Sequence, residues 1–138
     1  MDIRELTDRA QDAWNAKDED SFVALYAEDH EVVAPGFTGK GIQGVRDFWA
    51  LWNGAFPDNR IAYRTLLVDG QQAAQLATFQ GTHTGPLMAP DGSAIPPTGR
   101  PMTTTYTLFT TMDGEKVARS EFMFDQMEML GQLGLLPG

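Results

Sequence analysis

Two Asp-Gly pairs, Asp69-Gly70 and Asp113-Gly114, limit the possible folds of this chain more than any other feature. Each lies between two runs rich in β-branched, aromatic and aliphatic residues. Residues 60–68 and 73–84 flank the first pair, and 102–112 and 116–124 flank the second. Asp-Gly between such runs signals a tight hairpin, because these residues tolerate the positive φ that the turn demands. The second half is therefore predicted to be a set of antiparallel strands. Between the two hairpins, PLMAPDGSAIPPTGR (residues 86–100) is too rich in proline and glycine for regular structure.

The first half has a helical period. Ile3, Leu6, Ala10, Ala13 and Trp14 form one stripe, predicting a helix over 2–16. Phe22, Leu25 and Tyr26 predict a second, short helix over 19–27, broken from the first near Lys17-Asp18. Glu31 to Ala34 reads as a short strand ended by Pro35-Gly36. After a Gly-rich loop, Val45, Phe48, Trp49 and Trp52 predict a third helix over 42–55. Helices followed by a run of strands indicate an α+β domain. Three helices on one face of a curved, mostly antiparallel sheet would enclose a conical hydrophobic pocket. The chain has 138 residues and is 42% apolar, so residues 1–138 read as one domain with a sizeable core.

Charge and composition narrow the function. A net charge of −9 without a run of Lys or Arg disfavours nucleic acid and anionic membranes as partners. No cysteine is present, which excludes disulfides, thiol catalysis and cysteine-ligated metals. Two distant histidines without HxH or HExxH spacing give no metal site. No GxGxxG, P-loop or nucleophile elbow is found, so no cofactor is expected. The opening MDIRELTDRA resembles neither a signal peptide nor a membrane span, and a cytoplasmic protein is the default expectation.

LYAEDHEVVAPG at 25–36, FPDNR at 56–60, GTHTG at 81–85, PPTGRP at 96–101 and FDQMEMLGQLGLLP at 124–137 run in order along nearly the whole chain. Together they resemble the SnoaL-like polyketide cyclase branch of the nuclear transport factor 2-like superfamily. The resemblance implies a cone-shaped α+β barrel around a hydrophobic pocket, commonly a homodimer. It also implies cofactor-independent cyclase chemistry on a small hydrophobic or aromatic carbonyl compound. Family members often carry a His-Trp pair before the terminal aromatic-Asp; Ser120 and Glu121 stand in those places here.

The resemblance makes Asp125 the expected acid/base of an intramolecular aldol closure. Alternation along 116–124 places Val117, Arg119, Glu121, Met123 and Asp125 on one face, and Ala118, Ser120, Phe122 and Phe124 on the other. Both faces are largely apolar, as in a strand covered on two sides, where a carboxyl loses hydration and can titrate near neutrality. The alternative for Asp125 is an N-cap of the terminal helix. Glu121 is a second candidate acid or the partner of Arg119, itself a candidate substrate contact. Glu121 lies about 13 Å along the strand from Asp125, too far for a glycosidase pair. His83, in GTHTG, is expected either to polarise a ligand carbonyl or to be tied to the Pro-rich loop. His30, after an acidic pair, is expected to cap a helix end. Tyr26, Trp49 and Trp52 are candidates for stacking on a flat ligand, with Phe79, Tyr106, Leu108 and Met123 as apolar wall. The alternatives to cyclisation are another lyase, an isomerase or an epoxide hydrolase in the same cone, or a non-catalytic small-ligand-binding protein.

Overall fold

A computed structural model describes residues 1–136; Pro137, the last residue of the 124–137 motif, lies outside the described residues. Helix α1 spans Ile3–Asn15 and starts at Asp2, whose carboxylate accepts from the Glu5 amide at 2.9 Å. It buries Ile3, Leu6, Ala13 and Trp14, the stripe set by its apolar spacing. A short helix α2 (Glu19–Val23) follows. Its end is earlier than expected, and Tyr26 opens strand β1 (Tyr26–Ala34) instead of closing a helix. β1 turns through Pro35-Gly36 into β2 (Phe37–Lys40), in the segment read as loop. Helix α3 (Gly41–Ala55) turns Val45, Phe48 and Trp49 inward.

The strands β3 (Arg60–Asp69), β4 (Gln72–Thr82), β7 (Pro101–Asp113) and β8 (Lys116–Phe124) stand where the two Asp-Gly pairs place them. Gly70 and Gly114 adopt φ of +60° and +66°, the left-handed conformation such turns require. The intervening segment carries a small hairpin, β5 (Leu87–Met88) with β6 (Ala94–Ile95), more order than its composition suggests. Helix α4 (Gln126–Gln132) closes the described chain.

The main sheet has the order β2-β1-β8-β7-β4-β3, antiparallel throughout except for the parallel β1–β8 pair. The three N-terminal helices cover its concave face, giving the expected α+β cone. Edge strand β3 is stitched to α1. Asn15 bonds both the amide and the carbonyl of Ile61, at 2.9 and 2.8 Å, and Gln11 accepts from the Tyr63 amide at 2.9 Å. Backbone groups that an edge would otherwise expose are thereby occupied. Among the described residues, no helix covers the convex face. The expectation that 116–124 is covered on both sides is therefore corrected, because Glu121 and Met123 are exposed there.

Candidate functional site

The space between helices and sheet is a cavity of about 90 Å³. Helix α1 contributes Ala10 and Trp14, α2 Phe22, and α3 Phe48 and Trp52. The sheet contributes Tyr26, Phe79, Tyr106 and Leu108 together with Phe122 and Phe124, and α4 closes one side with Met129. The rings make one connected wall. Phe48 stacks on Phe122 at 4.8 Å between ring centres, and Trp52 meets Phe79 and Phe124 edge-on at 5.6 and 5.5 Å. Such edge and offset contacts fix ring orientation as well as burying apolar area. The volume is below the roughly 300–1,000 Å³ of drug-sized pockets, so this form suits only a small ligand.

Of the residues expected in the pocket, Tyr26, Trp52, Phe79, Tyr106 and Leu108 line it. Trp49 stands behind the wall, buried edge-on against Trp14 at 4.9 Å and packed against Phe22 at 5.2 Å. The group expected from β8 is turned the other way. Met123 is 67% exposed on the convex face, and Glu121 accepts from Arg119 Nε at 2.6 Å beside the Arg119–Glu31 ion pair. Asp125 is exposed and caps α4, accepting from the Glu128 amide at 3.1 Å.

The cause is a β-bulge. Thr111 pairs with Arg119, but the next residue, Met112, pairs with Val117, leaving Ala118 as an extra residue in β8. One inserted residue reverses the alternation. Val117 faces the interior as expected, and beyond the bulge Ser120, Phe122 and Phe124 take the interior side while Arg119, Glu121 and Met123 take the outside.

His83 is fully buried yet does not line the cavity. Its Nδ1 accepts from the Thr98 amide at 3.2 Å and lies 3.0 Å from the Thr98 hydroxyl, while Phe56 packs on the ring at 5.4 Å. The Pro-rich loop is tied down through it, the second of the two roles expected. His30 caps no helix. It sits in β1 with Nε2 3.0 Å from the Ser120 hydroxyl and its ring edge-on to Tyr26. Burial pushes its imidazole down to about 4.

The ionisable groups among the described lining residues are the phenols of Tyr26 and Tyr106. Burial raises both above the usual tyrosine range, and the nearby Tyr106 raises Tyr26 further. Both remain protonated donors near neutral pH. Asn59, not singled out in the sequence, is fully buried beside the site. Its Oδ1 accepts from Trp14 Nε1 at 2.6 Å, and its amide nitrogen donates to Asn53 Oδ1 and to the Phe56 carbonyl. Thr104, also not singled out, lines the wall. Alternation along β7, with Met102, Tyr106 and Leu108, was the signal for it.

The family model for SnoaL-like polyketide cyclases matches residues 4–133. The chain belongs to this family. Among solved structures, the SnoaL-like fold superposes on a candidate SnoaL-like polyketide cyclase from Jannaschia sp. CCS1 with a TM-score of 0.84. Identity is 19%, over 97% of this chain and 92% of that one. TsrD from Streptomyces laurentii gives 0.83 at 22% identity, over 97% and 96%. IdmH, a candidate polyketide cyclase from Streptomyces antibioticus, gives 0.78 at 23% identity, over 95% and 97%. These likenesses concern the fold. No curated protein matches the sequence.

Proposed function

We propose that this SnoaL-like protein is a cyclase-type enzyme acting on a neutral, largely apolar carbonyl compound held in the aromatic cavity. The observation that carries this reading is a wall of connected aromatic rings with no charged side chain among the described lining residues. A chain folded against such walls has its reacting carbons held together, which removes the entropic part of the barrier to ring closure. The buried phenols of Tyr26 and Tyr106 are donors for a carbonyl oxygen that gains negative charge as the carbon–carbon bond forms. One phenol passes its proton to that oxygen and is restored by the proton released when the C–H bond of the attacking carbon breaks. Asp125, Glu121 and Arg119 stand outside the cavity and take no part in this reading.

The test is incubation with a panel of neutral polyketide-type esters, ring ketones and epoxides, followed by mass spectrometry. Appearance of a cyclised isomer, or of its dehydrated product, is the expected result. Retention of panel compounds without conversion of any sinks the catalytic part. It would favour a ligand carrier, a second reading supported by the scarcity of ionisable groups in the cavity.

A further inference from the structure

The polar atoms around the cavity are not equivalent. The Thr7 hydroxyl donates to the Ile3 carbonyl at 2.7 Å, within its own helix. Gln11 Oε1 accepts from the Tyr63 amide, and Trp14 Nε1 donates to Asn59. The first is committed within α1, and the other two hold α1 against β3 and the residues before it. Thr104 also lines the cavity, and its hydroxyl, in a residue only 5% exposed, has no hydrogen-bond partner among the described residues. A buried hydroxyl left unpaired is destabilising, and such groups are rare enough in folded proteins to require a reason.

Its surroundings supply one. Thr104 sits in β7 directly across from Phe79 of β4, with Tyr106 two residues further on the same face. Those positions are about 7 Å apart along the strand. Thr104 and Tyr106 thus occupy neighbouring positions in a wall built mainly of rings and aliphatic groups, with the Gln75 amide also in the lining. A ligand oxygen seated between them could accept from either, and the rest of the ligand would lie on apolar surface. No cation among the described lining residues would balance an ionised ligand oxygen.

We propose that Thr104, with Tyr106 beside it, is the specificity-determining contact of the cavity, fixing a neutral ring compound through its carbonyl oxygen. This rests on the cavity being the ligand site but not on catalysis occurring there. The ligand class is a small neutral ring ketone. Its hydrocarbon counterpart leaves the hydroxyl unpaired, and its carboxylate counterpart brings a charge that the wall does not balance.

The test uses 1-tetralone, tetralin and 1-naphthoate as probes, with calorimetry and tryptophan quenching as readouts on the wild-type chain and on Thr104→Val. Valine keeps the shape and removes the hydroxyl. Wild-type protein is expected to bind 1-tetralone about five- to tenfold more tightly than tetralin, the size of one neutral hydrogen bond, and 1-naphthoate more weakly than 1-tetralone. In Thr104→Val the preference for the ketone is expected to fall to near unity, with tetralin affinity retained. The melting temperature of the free variant is expected to equal or exceed that of wild type, because an unpaired buried hydroxyl has been removed. Equal wild-type affinity for the ketone and the hydrocarbon overturns the inference, as does a preference that survives in Thr104→Val. Failure of all three probes to bind the wild-type chain overturns the cavity reading and this inference with it. Tight binding of 1-naphthoate overturns the claim of a neutral ligand.

Discussion

Asp125 sits at the junction of β8 and α4 in extended conformation, with its carboxylate turned back to the Glu128 amide. A helix start leaves amides without partners, and a capping side chain that satisfies one contributes about 1 kcal/mol. Asparagine caps as well as aspartate. Asp125→Asn is therefore expected to leave both chemical denaturation and turnover nearly unchanged, whereas Asp125→Ala loses about 1 kcal/mol of stability. Loss of turnover in Asp125→Asn with unchanged stability would restore the carboxylate as the working base. His30 gives a second test at this scale. Its folded pKa of about 4 lies below the ordinary 6.5, so between these values the unfolded chain binds more protons than the folded one. Stability from this group is present above pH 6.5 and is lost as pH falls toward 4. Burial lowers the His83 imidazole as well, so it acts in the same direction. Thermal unfolding of His30→Gln is expected to depend less steeply on pH across this window than wild type; identical slopes would disprove it. The aromatic half of the site was legible at this scale, since bulky rings in amphipathic stretches have few places to go but the interior. The polar half was not. Thr104 is one threonine in a run of three, Thr103 to Thr105, and its importance lies in a missing partner that only coordinates reveal.

At the scale of elements, what could be read depended on how local the determining interactions are. Helices α1 and α3 follow from their own spacing and the two long hairpins from their own turns, so residues near in sequence carried the information. Strand β1 was shortened and α2 lengthened because the first residues of β1 are extended by pairing with β8 from the other end of the chain. Tyr26 aligns with Val117, and the Val117 amide donates to the Leu25 carbonyl at 2.9 Å. No local propensity reports such a parallel partner. The bulge at Ala118 belongs to the same class. It arises where β8 adjusts between an antiparallel neighbour and a parallel one, and registers with both neighbours are irregular there. Its effect on the site was large because strand alternation has a period of two. One unseen residue exchanged a wall of Phe122 and Phe124 for a supposed wall of Glu121 and Met123. The β5–β6 hairpin was missed for a related reason: it is held from outside. His83 binds Thr98, and the Thr84 and Gly85 amides donate to the Ala55 carbonyl at 3.2 and 3.1 Å.

For the molecule as a whole, the convex face of the sheet remains to be explained. Leu67, Phe109 and Met123 point out from it with 68, 45 and 67% of their surfaces exposed. The strand register makes Leu67 and Phe109 successive neighbours through Ala74, and places Glu121 beside Phe109 with Met123 two residues on. Large apolar side chains gathered on one face, rimmed by charge, mark a surface that another protein covers. We propose a second copy of the chain as its occupant. The net charge of −9 opposes association in general, but here Arg119 lies between Glu31 and Glu121, so the face carries both signs. A two-fold axis through such a face matches each patch with itself. Sedimentation equilibrium is expected to give the mass of a dimer. Leu67→Glu or Met123→Glu is expected to give a monomer with an unchanged circular dichroism spectrum, because neither side chain packs in the core. Ligand binding in the cavity on the opposite side of the sheet should persist in both variants. A wild-type chain that sediments as a monomer at high micromolar concentration would leave the apolar face to a partner of another kind and end the case for self-association.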